Sequence, residues 1–305
     1  MFHQLALQPG HTRDITALAH ADPSAAWIAA VTASMSRFAT FLPEPAQHRL
    51  WDDDPDTLIA GTLRPQGTAH ATPHGWTLSG EWPYVSAAHH ARWALLACRL
   101  PTDEHPGPVD HFALIPATAW TVHPTWDATG LRATGSHTLR LDDVHISRDD
   151  VFIAARLFTG HARTKVTVPH EAVSGLTFAA PLLGAAEAML DHRIARLRET
   201  GTDPTPHADA LGTASTHLKA ARLLLLDAAE RTPMDPVTAV RARRDHAAAA
   251  THALAGVDLM WRDAGTTASQ RGTFSRLWRD AHTAGVHPAL ATGPAHRAWI
   301  DVHTR

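Results

Sequence analysis

The sequence has little of what marks disulfide-rich, secreted, membrane-spanning or nucleic-acid-binding proteins. Its one cysteine, Cys98, excludes an intrachain disulfide and favours a reducing compartment. It has no run of about eighteen apolar residues and no N-terminal pattern of a secretory signal, so we expect a cytoplasmic protein that does not enter a membrane. The formal net charge of -3 gives no positive field, and we therefore expect neither nucleic acid nor an anionic membrane as a partner.

The short signatures of several enzyme classes are also missing. No GxGxxG, GxxxxGK[ST], GxSxG or HExxH occurs, which leaves dinucleotide-binding, P-loop, α/β-hydrolase and zincin interpretations without support. The adjacent His89 and His90 would point to opposite faces of a strand, and no CxxC or carboxylate cluster accompanies them. We expect no metal site, since 24 histidines make any one of them a weak signal.

The spacing of apolar residues changes along the chain and predicts an α+β fold. Helical spacing over 13–50 is followed by short β-type runs with glycine, proline and aspartate between them, and then by long amphipathic patterns from Ser174 onward. We predict a short N-terminal helical part, a central antiparallel, barrel-like β-domain and a C-terminal four-helix bundle. The predicted domains are 1–57, 58–151 and 152–305. The predicted bundle helices are 175–199, 206–231, 236–264 and 272–290.

The bundle carries more apolar residues than one core face requires, which predicts a homodimer or homotetramer. These residues are Leu182, Leu183, Ala186, Leu190 and the run 223–226.

Two segments of the β-region carry the most informative motifs. The first is GWTLSGEWPYVS at 75–86, and the second is TWDATGLRATGSH at 125–137, followed by a DDVHI strand. The second segment supplies glycines and small hydroxyl residues where a backbone could approach a ligand closely. A tight turn without a ligand is the alternative, and spacing alone favours it.

Together these segments resemble the middle β-domain of the acyl-CoA dehydrogenase superfamily. The similarity is greater to its flavin monooxygenase branch, the two-component enzymes such as p-hydroxyphenylacetate hydroxylase and dibenzothiophene monooxygenase. DPSAAWIAA and LPEPAQHRLWDDDPDTLIAGTLRPQG before the β-region, and SRLWRDAHTAGVH after it, extend the resemblance over about residues 18–290. The N-terminal helical part is short for that family.

The resemblance implies a flavin between the β-domain and the C-terminal helices. It places Tyr84, Val85 and Ser86 beside the flavin ring, with Ser86 at the N5 edge. It places a second loop near the ribityl or phosphate end, including Arg132, Thr134, Gly135 and Ser136. The family commonly has glycine after this serine, whereas this chain has Ala87, so we expect the loop to hold the ring differently.

A dehydrogenase of this superfamily needs a carboxylate base in a dry pocket. Aligning Arg279-Asp280-Ala281 with the family places Pro288 where that glutamate commonly lies. In the minority arrangement the position is Val173, and Glu171 lies two residues away on a different helix face. The dehydrogenase alternative therefore has only a weak base.

The monooxygenase branch uses O2 and reduced FMN or FAD, supplied by a separate flavin reductase, to oxygenate a small-molecule substrate. The resemblance places His287 at the active-site histidine, and we predict His287 and Ser86 as catalytic residues, with His282 as second choice. The habits of the branch suggest natural product biosynthesis. A non-redox member acting as a cyclase, dehydratase or binding protein is the third class.

Overall fold

The computed structural model describes two compact units. The described residues are 9–102, 107–159, 170–231 and 236–304. The first unit contains 31–102, 107–127 and 134–159. The second unit contains 9–30, 128–133, 170–231 and 236–304. The three-domain division at 58 and 152 stays a prediction.

The first unit contains two four-stranded sheets. One sheet has the order β1-β4-β5-β8 and the other has the order β2-β3-β7-β6. Only β1 and β4 pair in parallel among the described strands, and every other pairing is antiparallel. The predicted antiparallel β-region is confirmed, but it forms two separate sheets and no closed barrel. The strands are β1 Ile59–Thr62, β2 Thr68–Thr72, β3 Gly75–Val85, β4 Trp93–Leu100, β5 Val109–Pro116, β6 Thr121–His123, β7 His137–Ser147 and β8 Val151–Ile153.

The long strand β3 is anchored by its tryptophans and bent by two irregularities. Trp82 is fully buried, and its indole Nε1 donates a hydrogen bond to the Ala97 carbonyl at 2.8 Å. The pairing of β3 with β7 shifts register between Leu78 and Gly80, and again between Trp82 and Val85. Such bulges turn the following residues away from the regular ladder. The second shift comes immediately before Ser86.

Helices cover part of the first unit. They are the later part of α2 Pro23–Ala39, then α3 Glu44–Trp51 and α4 Arg156–Thr159. Aromatic rings join α2 to the first sheet: Phe38 lies 5.9 Å from Phe112, and Phe112 lies 5.3 Å from Phe152, measured between ring centroids. These buried rings form one core of the unit.

The second unit is helical, and the predicted bundle is confirmed. Its helices are α1 Pro9–Ala21, the first part of α2, α5 Ser174–Thr200, α6 Ala208–Glu230, α7 Pro236–Ala264, α8 Thr273–Gly285 and α9 Thr292–His303. Helix α8 ends at Gly285, earlier than the predicted residue 290. Pro288 explains the difference, because a proline ring collides with the carbonyl four residues earlier in a continuing helix.

Half of the apolar residues expected at an oligomer interface are buried within the chain. Leu182, Leu183 and Ala186 are buried in α5, and Leu225 is buried in α6. Leu223 is the member of this set with a large exposed fraction, 58%, and the other three are partly buried. In-chain packing therefore accounts for part of the apolar excess.

Among the residues that the structure describes, one segment is long and apolar enough to cross a membrane by length and composition. It is His170–Thr200, with a mean hydropathy of 1.4 over its best window, and 67% of that window is buried inside the chain. Burial of this extent is typical of a core helix.

His246 of α7 gives the first testable prediction, the acid sensitivity of the second unit. Its side chain is 0% exposed and packs against Gly175, and neither ring nitrogen has a hydrogen-bond partner among the described residues. Burial lowers its pKa from 6.5 to about 4, with Asp245 opposing the change and Arg231 adding to it. The unfolded chain therefore binds a proton at this side chain more readily than the folded chain does. The contribution of neutral His246 to the free energy of unfolding is fully present above pH 6.5 and is lost as the pH falls towards 4.

Replacing His246 by leucine should reduce the loss of stability in acid. The reduction should be about 1.4 kcal/mol for each tenfold difference in proton affinity between the unfolded and folded chains that the substitution removes. It should leave stability at pH 7.5 unchanged or raised, because an apolar side chain has no unpaired polar atoms to bury. Urea unfolding at pH 7.5 and pH 5 measures both effects. The exposed His296→Leu on α9 is the control, and an equal change in both variants would contradict the prediction.

Candidate functional site

Three buried hydroxyl side chains of the first unit form a connected group, which we call the hydroxyl cluster. Ser136 Oγ lies 2.8 Å from Ser86 Oγ and 2.8 Å from Thr134 Oγ1. All three side chains are buried. Because each hydroxyl carries one hydrogen, the two contacts use two of the three hydrogens.

The fold brings these residues together although they lie about fifty positions apart. Val85 at the end of β3 pairs with His137 at the start of β7, so the loops beyond the two strand ends are neighbours. The Ala87 amide donates to the Thr134 carbonyl at 2.9 Å and ties one loop to the other. The hydroxyl cluster is thus fixed by backbone bonds on both sides.

The backbone around the cluster is left-handed at three positions. Tyr84 and Ala87 both have φ of 62°, and Gly135 has φ of 51°. A residue with a Cβ loses roughly 1–2 kcal/mol in this conformation, and such strain persists chiefly at functional sites. Glycine adopts it without that cost. This explains why glycine suits position 87, where Ala87 adopts the left-handed conformation at that cost.

Trp126 and His137 line the same region and were not predicted. Tyr84 is 74% exposed and meets the Trp126 ring edge-on, with the centroids 6.4 Å apart. The Trp126 amide donates to His137 Nδ1 at 3.0 Å, which places the proton of the neutral imidazole on Nε2. Burial, and to a lesser degree His89, lower the pKa of His137. Both residues stand inside the TWDATGLRATGSH motif, so the signal was available.

The other residues predicted to bind the cofactor have different surroundings. Val85 is fully buried at the end of β3. Arg132 is exposed in the short turn Arg132–Thr134. The structure thus joins Ser86, Thr134 and Ser136 directly, and the roles of all the predicted site residues stay predictions.

His287 belongs to the second unit and lies within a group of aromatic rings, which we call the His287 cluster. Its imidazole is stacked on the Phe178 ring, with centroids 3.5 Å apart and planes inclined by 22°. Trp27 meets His287 edge-on at 5.8 Å and lies 5.1 Å from Phe178. This side chain is therefore positioned by α2, by α5 and by the turn that follows α8.

The His287 side chain also caps the short 3-10 helix Pro288–Leu290. The Ala289 amide donates to His287 Nδ1 at 3.2 Å. Burial lowers the pKa of His287 from 6.5 to about 4. The imidazole is consequently neutral at pH 7.

Two further side chains with possible acid-base roles are engaged elsewhere. His282 Nε2 lies 2.9 Å from Asp258 Oδ1, and its ring is tilted against Trp278 at 4.3 Å. Glu171 accepts a hydrogen bond from Arg243 at 3.3 Å, and its side chain is 44% exposed. A paired and hydrated carboxylate is a poor base for a weakly acidic proton, so Glu171 does not provide what a dehydrogenase needs.

Asp280 fixes the glycine-containing segment 128–133 to α8 within the second unit. It is buried, and its Oδ1 accepts from the Leu131 amide at 2.6 Å while Oδ2 accepts from Arg276 at 3.1 Å. Arg279 Nε donates to the Thr129 carbonyl at 3.0 Å. The sequence does not predict these contacts of the Arg279-Asp280-Ala281 triplet with segment 128–133.

Within the described parts of the chain, no three or more His, Cys, Asp or Glu side chains come close enough to hold a metal ion.

Comparison with known proteins gives a consistent class. Residues 176–292 match the family model "Acyl-CoA dehydrogenase, C-terminal domain". The flavin-dependent monooxygenase oxygenase subunit HsaA of Rhodococcus jostii is 28% identical over 93% of this chain and 80% of that protein. The FADH2-dependent resorcinol hydroxylase oxygenase component of Rhizobium sp. is 35% identical over 47% of this chain and 35% of that protein. The solved structure of XiaF from Streptomyces sp. with FADH2 and glycerol has a TM-score of 0.88 at 24% identity, covering 97% of this chain and 81% of that one.

The chain thus has the fold of these solved structures, and residues 176–292 match the C-terminal domain of acyl-CoA dehydrogenases. Its relatives by sequence are oxygenase components of flavin-dependent monooxygenases, which is the branch that the motifs resembled.

Proposed function

We propose that this protein is the oxygenase component of a two-component monooxygenase, which uses O2 and reduced FMN or FAD to oxygenate a small organic substrate. A separate flavin reductase supplies the reduced cofactor. We further propose that the enzyme works in the cytoplasm as a homodimer or homotetramer, in natural product biosynthesis. The observation that carries the proposal is the buried hydroxyl cluster at a left-handed loop.

The hydroxyl cluster suits the polar edge of a flavin ring. That edge presents nitrogen and oxygen atoms in one plane, and oriented hydroxyl and backbone groups can hydrogen-bond them. Ser86 is held by Ser136, so its position is set before any ligand arrives. When bound, the reduced flavin supplies the reaction with O2, and the protein supplies binding, orientation and exclusion of water.

The His287 cluster suits the substrate side of such a reaction. Its imidazole is half-buried among aromatic rings, and it is neutral near pH 7 because burial lowers its pKa to about 4. A neutral imidazole in apolar surroundings can exchange a hydrogen bond with a substrate oxygen or nitrogen at low cost in desolvation. We therefore assign His287 to the orientation of the substrate.

Ser86→Ala tests the cofactor part of the proposal. It removes one neutral hydrogen bond, so reduced flavin should bind about 1 kcal/mol more weakly, or about fivefold. Anaerobic titration with photoreduced FMN and FAD measures the affinity, and O2 consumption with a supplied reductase measures turnover.

The matched control is Ser79→Ala. Ser79 lies on β3, the strand that ends immediately before Ser86, and its hydroxyl donates a hydrogen bond to Asp143 at 2.8 Å on the exposed face. Flavin affinity that is the same in Ser86→Ala as in the wild type and the control would remove Ser86 from the site. Product formation by the wild type without flavin or O2 would instead favour a non-redox member of the superfamily.

A further inference from the structure

The surroundings of His287 determine which ring nitrogen carries the proton. A backbone amide can only donate, so the bond from the Ala289 amide requires a bare lone pair on Nδ1. In a neutral imidazole the single proton then lies on Nε2. No group among the residues that the structure describes accepts a hydrogen bond from that Nε2–H.

Two aromatic rings hold the imidazole in this orientation. Phe178 covers one face at a centroid distance of 3.5 Å, and Trp27 closes against the ring at 5.8 Å. Trp27 is buried, and contact with Phe178 at 5.1 Å fixes the two rings relative to each other. An imidazole rotated by half a turn would lose the Ala289 bond, so the packing and the cap select the same ring orientation.

We propose that Phe178, Trp27 and the Ala289 amide hold His287 as a neutral Nε2–H donor, so that this residue gives a hydrogen bond to an acceptor atom of the substrate and does not act as its base. The inference rests on the proposed function and adds the direction of the hydrogen bond to it. Phe178 and Trp27 are positioning residues, since they act through His287.

The chemistry follows from where the proton starts. To serve as a base through Nε2, the ring would first have to move its proton to Nδ1, which would break the bond from Ala289 and set two N–H groups against each other. Protonating the ring as a whole is opposed by the same burial. A donor in apolar surroundings instead binds and orients an acceptor atom of the substrate. The substrate class implied is one with an oxygen or nitrogen lone pair close to the atom that is oxygenated.

The first experiment observes the ring itself. Two-bond 1H–15N spectra of protein labelled with 15N-histidine distinguish a protonated from a bare nitrogen, and the His287→Gln spectrum identifies the His287 signals. We expect a bare Nδ1 and a protonated Nε2 from pH 8 down to pH 5. A proton on Nδ1, or protonation of the ring near pH 6.5, would overturn the proposal.

Phe178→Leu tests the positioning role while keeping an apolar side chain in α5. Opening one face of the imidazole to water should raise the pKa of His287 from about 4 towards 6.5, and Phe178→Tyr should restore the lower value. Phe274→Leu is the matched control, because Phe274 stacks with Trp261 at 6.2 Å, outside the His287 cluster. Equal pKa values in Phe178→Leu and Phe274→Leu would rule out the role of Phe178.

The glutamine variant separates a donor from a base in the assembled enzyme. A glutamine amide can still donate an N–H near the place of Nε2, but it cannot accept a proton. With a donor role, His287→Gln should keep at least about tenfold more activity than His287→Ala, whereas with a base role both variants should lose activity equally. The spectra are recorded without flavin or substrate, so they test the ring geometry independently of the proposed function. The expected tautomer together with fully active His287 variants would overturn the hydrogen bond to the substrate, whereas absence of oxygenation by the wild type would overturn the proposed function.

Discussion

Replacing His287 by alanine should lower product formation by about 100-fold or more, the usual scale for removal of a positioned hydrogen-bond donor at the reacting groups. The reason is local. The imidazole is stacked on Phe178, and alanine leaves no polar group at that position. The rate of substrate oxygenation in single turnovers with reduced flavin and O2 is the measurement, because it isolates the chemical step from the supply of cofactor.

Flavin affinity and folding should survive this change. His287 begins a short 3-10 helix, and loss of such a cap costs about 1 kcal/mol. The companion variant is His282→Ala, which breaks the contact with Asp258 instead. If His282→Ala abolished product formation and His287→Ala did not, the second-choice histidine would be the active one.

Gly130→Ala should destabilise the second unit by at least about 2 kcal/mol, the cost of forcing an added group into a filled space. A Cβ at this position would lie 2.1 Å from the Arg279 carbonyl oxygen and 2.5 Å from Thr283 Oγ1. The nearer atom belongs to the backbone of α8, so a side-chain rotation cannot relieve the collision. Chemical unfolding followed by far-UV circular dichroism measures the loss.

Gly212→Ala provides the opposite control. Gly212 lies inside α6, and a Cβ there meets nothing within 4 Å. Alanine should raise stability by roughly 1 kcal/mol, since glycine is the weaker helix former. Two glycine-to-alanine substitutions in one unit should thus change the free energy of unfolding in opposite directions. A Gly130→Ala protein as stable as the wild type would show that segment 128–133 does not pack against α8 as described.

The sequence predicted this fold well because its periodicities are regular. Alternation placed the strands, and helical spacing with Pro and Gly breaks placed the bundle helices close to their observed ends. The split into two sheets was not predicted, because the pairing of strands distant in sequence depends on register and bulges, as between β3 and β7. The predicted end of α8, residue 290, lies beyond the observed end at Gly285, because Pro288 does not permit the helix to continue.

The candidate site was predictable in parts. The motifs identified Ser86 and Ser136 as candidate site residues. Only the resemblance to a known family assigned both of them to one cofactor. The rings around His287 could not have been predicted, since Trp27, Phe178 and His287 belong to segments far apart and read as ordinary core residues. Their significance depends on contact, which only the folded chain reveals.

The segment 128–133 has a consequence for how the protein is made. It stands between strands of the first unit, yet its anchor, Asp280, comes 149 residues later. A ribosome therefore releases this segment long before its partner exists, and contacts of such long range form slowly. A chain truncated before α8 would lack Asp280 and its bond to the Leu131 amide, and neither unit can be produced faithfully as one uninterrupted piece of the chain.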